Sequence, residues 1–208
     1  MMHRPAWMSK QTAAIENAHR RFHTEILEFA EWVRVKDQQP FDDLYSKIQE
    51  VIMAQFPRAK VMMFGSAAAY LAIKGSDIDV VVIDKSVSLN KLFFDTFERL
   101  SKISRFKDSV EKIICAVPIV KLKCRKTGLS CDITFNREDC YKGVATSLAL
   151  QAQYPELRPL YFVLKVFLRE RGSLDKTKKG GVCSFMLLNL IVSYLQTSYK
   201  EQYHASKM

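Results

Sequence analysis

Lys60-Val-Met-Met-Phe-Gly-Ser66, followed after ten residues by Asp77-Ile-Asp-Val-Val-Val-Ile83, is the stretch on which the fold turns. Two apolar runs of strand length, 60–64 and 77–83, are separated by a Gly-Ser turn and a short segment, 67–72, whose alanines predict one turn or so of helix. Successive strand side chains alternate faces, so Asp77 and Asp79 are expected to point the same way while Ile78 and Val80 enter the core. Two carboxylates on one small patch repel each other, and burial makes that worse. A divalent cation between them resolves the conflict, and hard oxygen ligands favour magnesium, with manganese as its alternative.

A third carboxylate extends this reading. Leu129-Ser-Cys-Asp-Ile-Thr-Phe135 has the pattern of a buried strand, with Asp132 between apolar Cys131 and Ile133. Laid beside the Asp77-Asp79 strand, it brings three carboxylates together, enough to hold two metals about 3.5–4 Å apart for in-line phosphoryl or nucleotidyl transfer. Gly65 permits close backbone approach, and Ser66 can offer its hydroxyl and amide to phosphate oxygens at the start of the short helix.

Around this centre the periodicity predicts a mixed α/β unit followed by an α-helical one. A helix over 11–36 carries Ile15, Phe22, Ile26, Phe29 and Val33 at helical spacing and ends near Pro40; a second, 42–56, turns Leu44, Ile48, Val51 and Ile52 inward and stops at Pro57. After strands 60–64 and 77–83 come a helix over 89–103, strands at 110–116, 118–124 and 129–135, and helices at 139–152, 157–171 and 183–198. The expected division is an N-terminal helix, 1–40, packing on the helical unit, a catalytic α/β unit, 41–138, and a partial helical unit, 139–208. On the helix 157–171, Lys165 and Arg169 are four apart and share a face. Ser184-Phe185 opens the next helix after Gly180-Gly181.

Composition is that of a globular chain: 208 residues, 48% hydrophobic and 26% charged, without repeats or low-complexity linkers. The five cysteines, at 115, 124, 131, 140 and 183, form no C-x-x-C pair, which argues for free thiols in a reducing compartment rather than a disulfide frame or zinc knuckle. His19 and His23 lie four apart without a companion ligand pair, as on a solvated helix face. No apolar stretch is long enough for a bilayer and no secretory core follows the start, so an intracellular location is expected, with no membrane partner. Residues 1–104 hold 14 Lys and Arg against 13 Asp and Glu, and residues 105–208 hold 18 against 9. Nearly all of the net charge of +10 therefore follows the carboxylate motifs, which suits a polyanionic substrate.

Phe64-Gly-Ser-(x)10-Asp-Ile-Asp-Val80, the later Cys131-Asp-Ile-Thr-Phe135, Val117-Pro-Ile-Val-Lys121, Leu164-Lys-Val-Phe-Leu168 and Gly180-Gly-Val-Cys-Ser-Phe185 occur in one order across most of residues 41–198. Together they resemble the DNA polymerase β-type nucleotidyltransferase superfamily and, within it, template-independent RNA tailing enzymes: poly(A) polymerases of the nuclear RNA-surveillance type and their terminal uridylyltransferase relatives. The resemblance implies an α+β palm with a small mixed sheet, followed by an incomplete helical central domain. It makes Asp77, Asp79 and Asp132 the catalytic metal ligands. Gly65, Ser66, Lys165, Arg169 and Ser184 would hold the triphosphate or ribose of ATP, and Phe185 would stack on the base.

The RNA 3′ end is then the acceptor, and a protein partner that binds RNA or completes the fold is expected, in the nucleus ahead of cytoplasm or mitochondrion. Arg137 and Val144 stand where uridylyltransferases usually carry Asn and Thr, which favours ATP over UTP. A terminal uridylyltransferase, a small nucleotidyltransferase with a non-RNA acceptor, and a catalytically weak RNA-binding or scaffold protein are the alternatives.

Overall fold

The computed structural model describes the backbone of residues 6–106, 108–172 and 180–205, with side chains described over 14–199 of that set. The helical unit expected over 139–208 includes 173–179 and 206–208, which lie outside the described residues. A five-stranded mixed sheet runs in the order β1-β2-β5-β4-β3, built from β1 (Lys60–Phe64), β2 (Ile78–Ile83), β3 (Glu111–Ile113), β4 (Ile119–Lys123) and β5 (Ser130–Phe135). The central β2–β5 pair is parallel and the other three pairs are antiparallel. This is the small mixed sheet that the family resemblance implies.

Alternation divides the sheet into two faces. Ile78, Val80 and Val82 of β2, Cys131, Ile133 and Phe135 of β5, and Val120 and Leu122 of β4 point to one side. There they meet Phe41, Leu44, Ile48, Val51 and Ile52 of α2 (Gln39–Gln55) and Leu92, Phe93 and Leu100 of α4 (Leu89–Ser101). Leu44, Ile48, Ile78, Val80, Leu92 and Ile133 are completely buried, and each such side chain contributes about 1.5–3 kcal/mol relative to exposure. Asp79, Lys121 and Asp132, out of phase with this set, belong to the other face.

That face is adjoined by α3 (Gly65–Ala68) and α5 (Asp139–Gln153). A second cluster of buried residues lies beyond them: Ala30 and Val33 of α1 (Ala6–Val33), Leu157, Tyr161 and Phe162 of α6 (Leu157–Glu170), and Leu187, Leu188, Ile191, Val192 and Leu195 of α7 (Ser184–Ala205). Ala69, Leu71 and Ile73 from the segment after α3 join it, so this short stretch links both cores. Among the described residues no helix is long and apolar enough to cross a membrane.

Several expectations are corrected by tertiary geometry. The first helix ends at Val33 rather than 36, because Arg34 bridges Ile73 and the Val35 amide donates to the Ala72 carbonyl. Its apolar stripe is only partly used: Ile15 and Phe22 are 54% and 64% exposed. His19 and His23 are both exposed. Pro40 begins the second helix instead of ending the first, since a first-turn proline loses no hydrogen bond. The strand expected over 110–116 shortens to Glu111–Ile113, as residues 114–118 form the hairpin loop to β4.

Candidate active site

The sheet register does what the sequence pattern predicts: Asp79 lies opposite Asp132 on the parallel β2–β5 pair, and Phe64, just before the Gly-Ser turn, lies opposite Asp79. Asp77 departs from the prediction. β2 begins at Ile78, so Asp77 is exposed on the loop before it rather than aligned with Asp79 along a strand. β1 ends opposite Asp79, where Gly65 takes φ +69° and carries the chain away, so at Ile78 β2 keeps only its pairing with β5.

Gly65 is placed under a strict steric demand. A β-carbon there would sit 2.2 Å from Asp79 Oδ2 and 3.0 Å from its Cγ. The Asp79 carboxylate therefore rests directly on the turn, beside Ser66. The helix after this turn is Gly65–Ala68, earlier and shorter than the 67–72 expected, because Tyr70 adopts φ +56° and ends it.

Burial, then the neighbouring Asp77 and Asp132 carboxylates, push the Asp79 carboxyl up to about 7, against the opposing charges of Lys121 and Lys165. Asp132 is held by a cross-strand partner that the sequence pattern did not reveal: Lys121 Nζ donates to both of its carboxylate oxygens at 2.6 Å. Lys121 and Asp132 are register partners on β4 and β5. The expectation of a ready carboxylate triad is corrected to this extent. Among the described residues no three His, Cys, Asp or Glu side chains are gathered into a closed ion cage.

The donor set nonetheless fits a divalent cation. All three groups are hard oxygen donors near one strand end, and the most buried of them carries a carboxyl whose ionisation its neighbours oppose. Binding an ion on Asp132 requires that Lys121 yield at least one oxygen.

A cavity of about 620 Å³ opens beside Asp79 and collects most of the remaining predicted residues: Gly65 and Ser66 from the turn, and Ser184 and Phe185 from the start of α7. Phe185 is 50% exposed, its ring edge near Gly143 of α5. Lys165 Nζ donates to Ser184 Oγ at 3.1 Å, which ties α6 to α7 at the cavity wall. Arg169 is used differently from the expectation. Its guanidinium donates to the Lys74 carbonyl at 2.8 Å, on the loop that leads to Asp77.

The cavity also includes Val144, which the resemblance had marked, and recruits Lys142 and Tyr161, which the sequence left unmarked. Tyr161 is buried next to Ser184, and its hydroxyl makes no well-formed hydrogen bond. A tyrosine in an apolar helix stripe reads as core, so only the tertiary packing exposes this role. Arg137 is paired with Asp139, whereas Val144 faces the cavity.

Known proteins agree with this geometry. Poly(A) RNA polymerase cid14 of Schizosaccharomyces pombe is 30% identical over 182 residues, covering 85% of this chain and 26% of that protein. The Drosophila melanogaster protein named inactive non-canonical poly(A) RNA polymerase protein Trf4-2 is 32% identical over 154 residues, covering 72% of this chain and 37% of its own length. A solved structure described as the polymerase core of TRAMP, an RNA surveillance complex, superposes with a TM-score of 0.72 at 26% identity, covering 82% of this chain and 54% of that one. This chain thus spans 26% and 37% of the length of these two curated relatives. The family model described as poly(A) RNA polymerase, mitochondrial-like, central palm domain matches residues 22–144, which include the whole sheet, all three carboxylates and the Gly-Ser turn, and the chain belongs to that family.

Proposed function

We propose that this chain is the catalytic palm and adjoining helices of a template-independent RNA 3′-end nucleotidyltransferase that adds AMP from ATP. The observation that carries the reading is the Asp79–Asp132 register beside the Gly65-Ser66 turn, at the edge of a cavity walled by Ser184 and Phe185. Asp77, Asp79 and Asp132 would hold divalent cations, magnesium or manganese. When bound, these ions supply Lewis-acid neutralisation of charge on the reacting phosphate.

The chain's own residues provide positioning. Ser66, at the start of α3, offers a hydroxyl and an amide to triphosphate oxygens, and Lys165, already on Ser184, adds a charge-assisted contact. Phe185 gives an exposed face for base stacking. Asp132 accepts the proton as the RNA 3′-hydroxyl attacks the α-phosphorus, and the bond to the bridging oxygen breaks to release pyrophosphate. Lys121, displaced from Asp132 in that state, remains as a cation beside the developing charge. Val144 presents no hydrogen-bond donor to the cavity, in keeping with adenine rather than uracil as the base.

A labelled oligo(A) incubated with magnesium and each nucleotide in turn tests the assignment. ATP-dependent lengthening that disappears in Asp77→Ala/Asp79→Ala, with the fold retained by circular dichroism, is the expected result. Lengthening by the double variant would end the two-metal reading. The relative named inactive makes a catalytically weak scaffold the second reading, which binding without extension by the unaltered chain would favour.

A further inference from the structure

Behind the wall of the catalytic cavity lies a second, polar cavity of about 510 Å³. Arg34, Lys36, Tyr70, Gln151 and Arg158 line it, drawn from the α1–α2 connection, the segment after α3, and helices α5 and α6. The two cavities share a partition: Ala69 and Leu71 line the first and Tyr70 the second, while Ser147 and Gln151, one helical turn apart on α5, line one each.

Three features of this cavity point to an anionic, aromatic occupant. Arg158 is under-satisfied. Among the described residues its Nε is buried without a hydrogen-bond partner, and its one hydrogen bond, from Nη2 to the Tyr70 carbonyl, is long at 3.4 Å. The outer nitrogens of the guanidinium thus keep donors that suit a phosphate. Charge is unbalanced as well. Arg34 and Lys36 share the one carboxylate of Glu31, which is bound to Arg34 and lies 3.7 Å from Lys36, and among the described residues Arg158 has no salt-bridge partner.

The third feature is strain. Tyr70 sits at φ +56°, a left-handed conformation that is an outlier for a bulky residue, and its side chain is 57% exposed instead of repaying that strain by burial. Gln151 donates its amide N–H to the Ala69 and Ser147 carbonyls, which leaves its side-chain oxygen as an acceptor at the same wall.

We propose that this cavity binds one nucleotide unit of single-stranded RNA upstream of the 3′ end, its phosphate on Arg158 and Lys36 and its base on the Tyr70 ring. The site rests on the RNA-acceptor reading above and adds to it a contact outside the catalytic cavity. Stacking on one aromatic ring is indifferent to base identity, so the site grips the strand without reading it. Its place one partition away from Asp79 makes acceptor length, rather than sequence, the property it senses.

The test uses the full 208-residue chain and a fluorescein-labelled oligo(A) in anisotropy titrations at two salt concentrations. Lys36→Ala and Arg158→Ala are expected to weaken binding about tenfold each and to lower the salt slope by about 0.7 each, the value for one single-strand phosphate. The decisive variant is Tyr70→Gly. It relieves the left-handed strain and so should raise Tm by about 2–4 °C, yet it should weaken RNA binding about tenfold by removing the stacking face.

ATP KM should stay within about twofold in all three. Oligo(A) binding that is unaltered in Tyr70→Gly and Lys36→Ala overturns the cavity assignment while leaving the acceptor reading intact. If the unsubstituted chain binds no oligo(A) at either salt concentration, the acceptor reading itself fails. A polyglutamate peptide that displaces the RNA equally well would show an acidic protein segment as the occupant and overturn the nucleotide assignment.

Discussion

Replacing Gly65 by alanine adds one methyl group at the most constrained point of the molecule. Two penalties follow from the geometry. A non-glycine residue at φ +69° costs about 1–2 kcal/mol. The new β-carbon, placed 2.2 Å from Asp79 Oδ2, also forces the carboxylate out of its rotamer at about 0.5–1.5 kcal/mol. The expected loss is about 2–3 kcal/mol, a fall in Tm of roughly 4–12 °C for a chain of this size. Displacing a reacting-site carboxylate by about 1 Å should lower nucleotide addition about 100-fold, well beyond what the lost stability explains.

A double-mutant cycle by chemical denaturation separates the two penalties. In an Asp79→Ala background the carboxylate is gone and the nearest remaining atom is the Asp79 Cβ position at 3.3 Å, so Gly65→Ala should keep only the backbone penalty. A coupling of about 0.5–1.5 kcal/mol is expected between the two positions. Equal losses in both backgrounds would refute the claim that Gly65 exists to seat Asp79.

Three further outcomes are expected. Because the Asp79 carboxyl is raised from its ordinary 3.8 to about 7, the folded state holds a proton there that the unfolded state has lost. Its stabilising effect is complete below about pH 4 and lost as pH rises through 7, so in EDTA the unaltered chain should lose more stability between pH 5 and 8 than Asp79→Asn, and equal slopes in denaturant titrations would contradict this. Lys165→Ala removes the contact to Ser184 and a charge at the cavity wall, so ATP KM should rise about tenfold with kcat changed far less; an unchanged KM would exclude Lys165 from nucleotide binding. Phe185→Ala should weaken ATP more than UTP in single-nucleotide extension, since a ring without donors or acceptors discriminates only by stacking area; retention of the full ATP preference would place base reading elsewhere.

The sequence alone carried the mixed α/β class, the helix and strand order, and the faces that Asp79 and Asp132 take on their strands, because alternation on a five- or six-residue strand is a local property that the apolar core face makes unambiguous; that the two strands lie side by side is a tertiary fact. It also marked Gly65 and Ser66 by their offset from Asp77 and Asp79, whereas Ser184-Phe185 stood out only through the family resemblance. Its errors fall where a distant partner overrides local pattern. Asp77 falls one residue before β2 begins, and Ile15 and Phe22, apolar at helical spacing, remain exposed because, among the described residues, the second buried cluster takes just Ala30 and Val33 from α1.

Tertiary structure alone decided the rest. Lys121 and Asp132 are eleven residues apart and meet only through the β4–β5 register; Arg169 and the Lys74 carbonyl are separated by 95 positions and meet only because α6 packs beside the Asp77 loop. The cavity beside Asp79 and the cationic one behind it are both assembled from segments remote in sequence, so no window of local periodicity could contain either. Charge and hydrogen-bonding capacity are written residue by residue, but which groups neutralise one another, and which are left with donors to offer, depends on distances that only the folded chain sets.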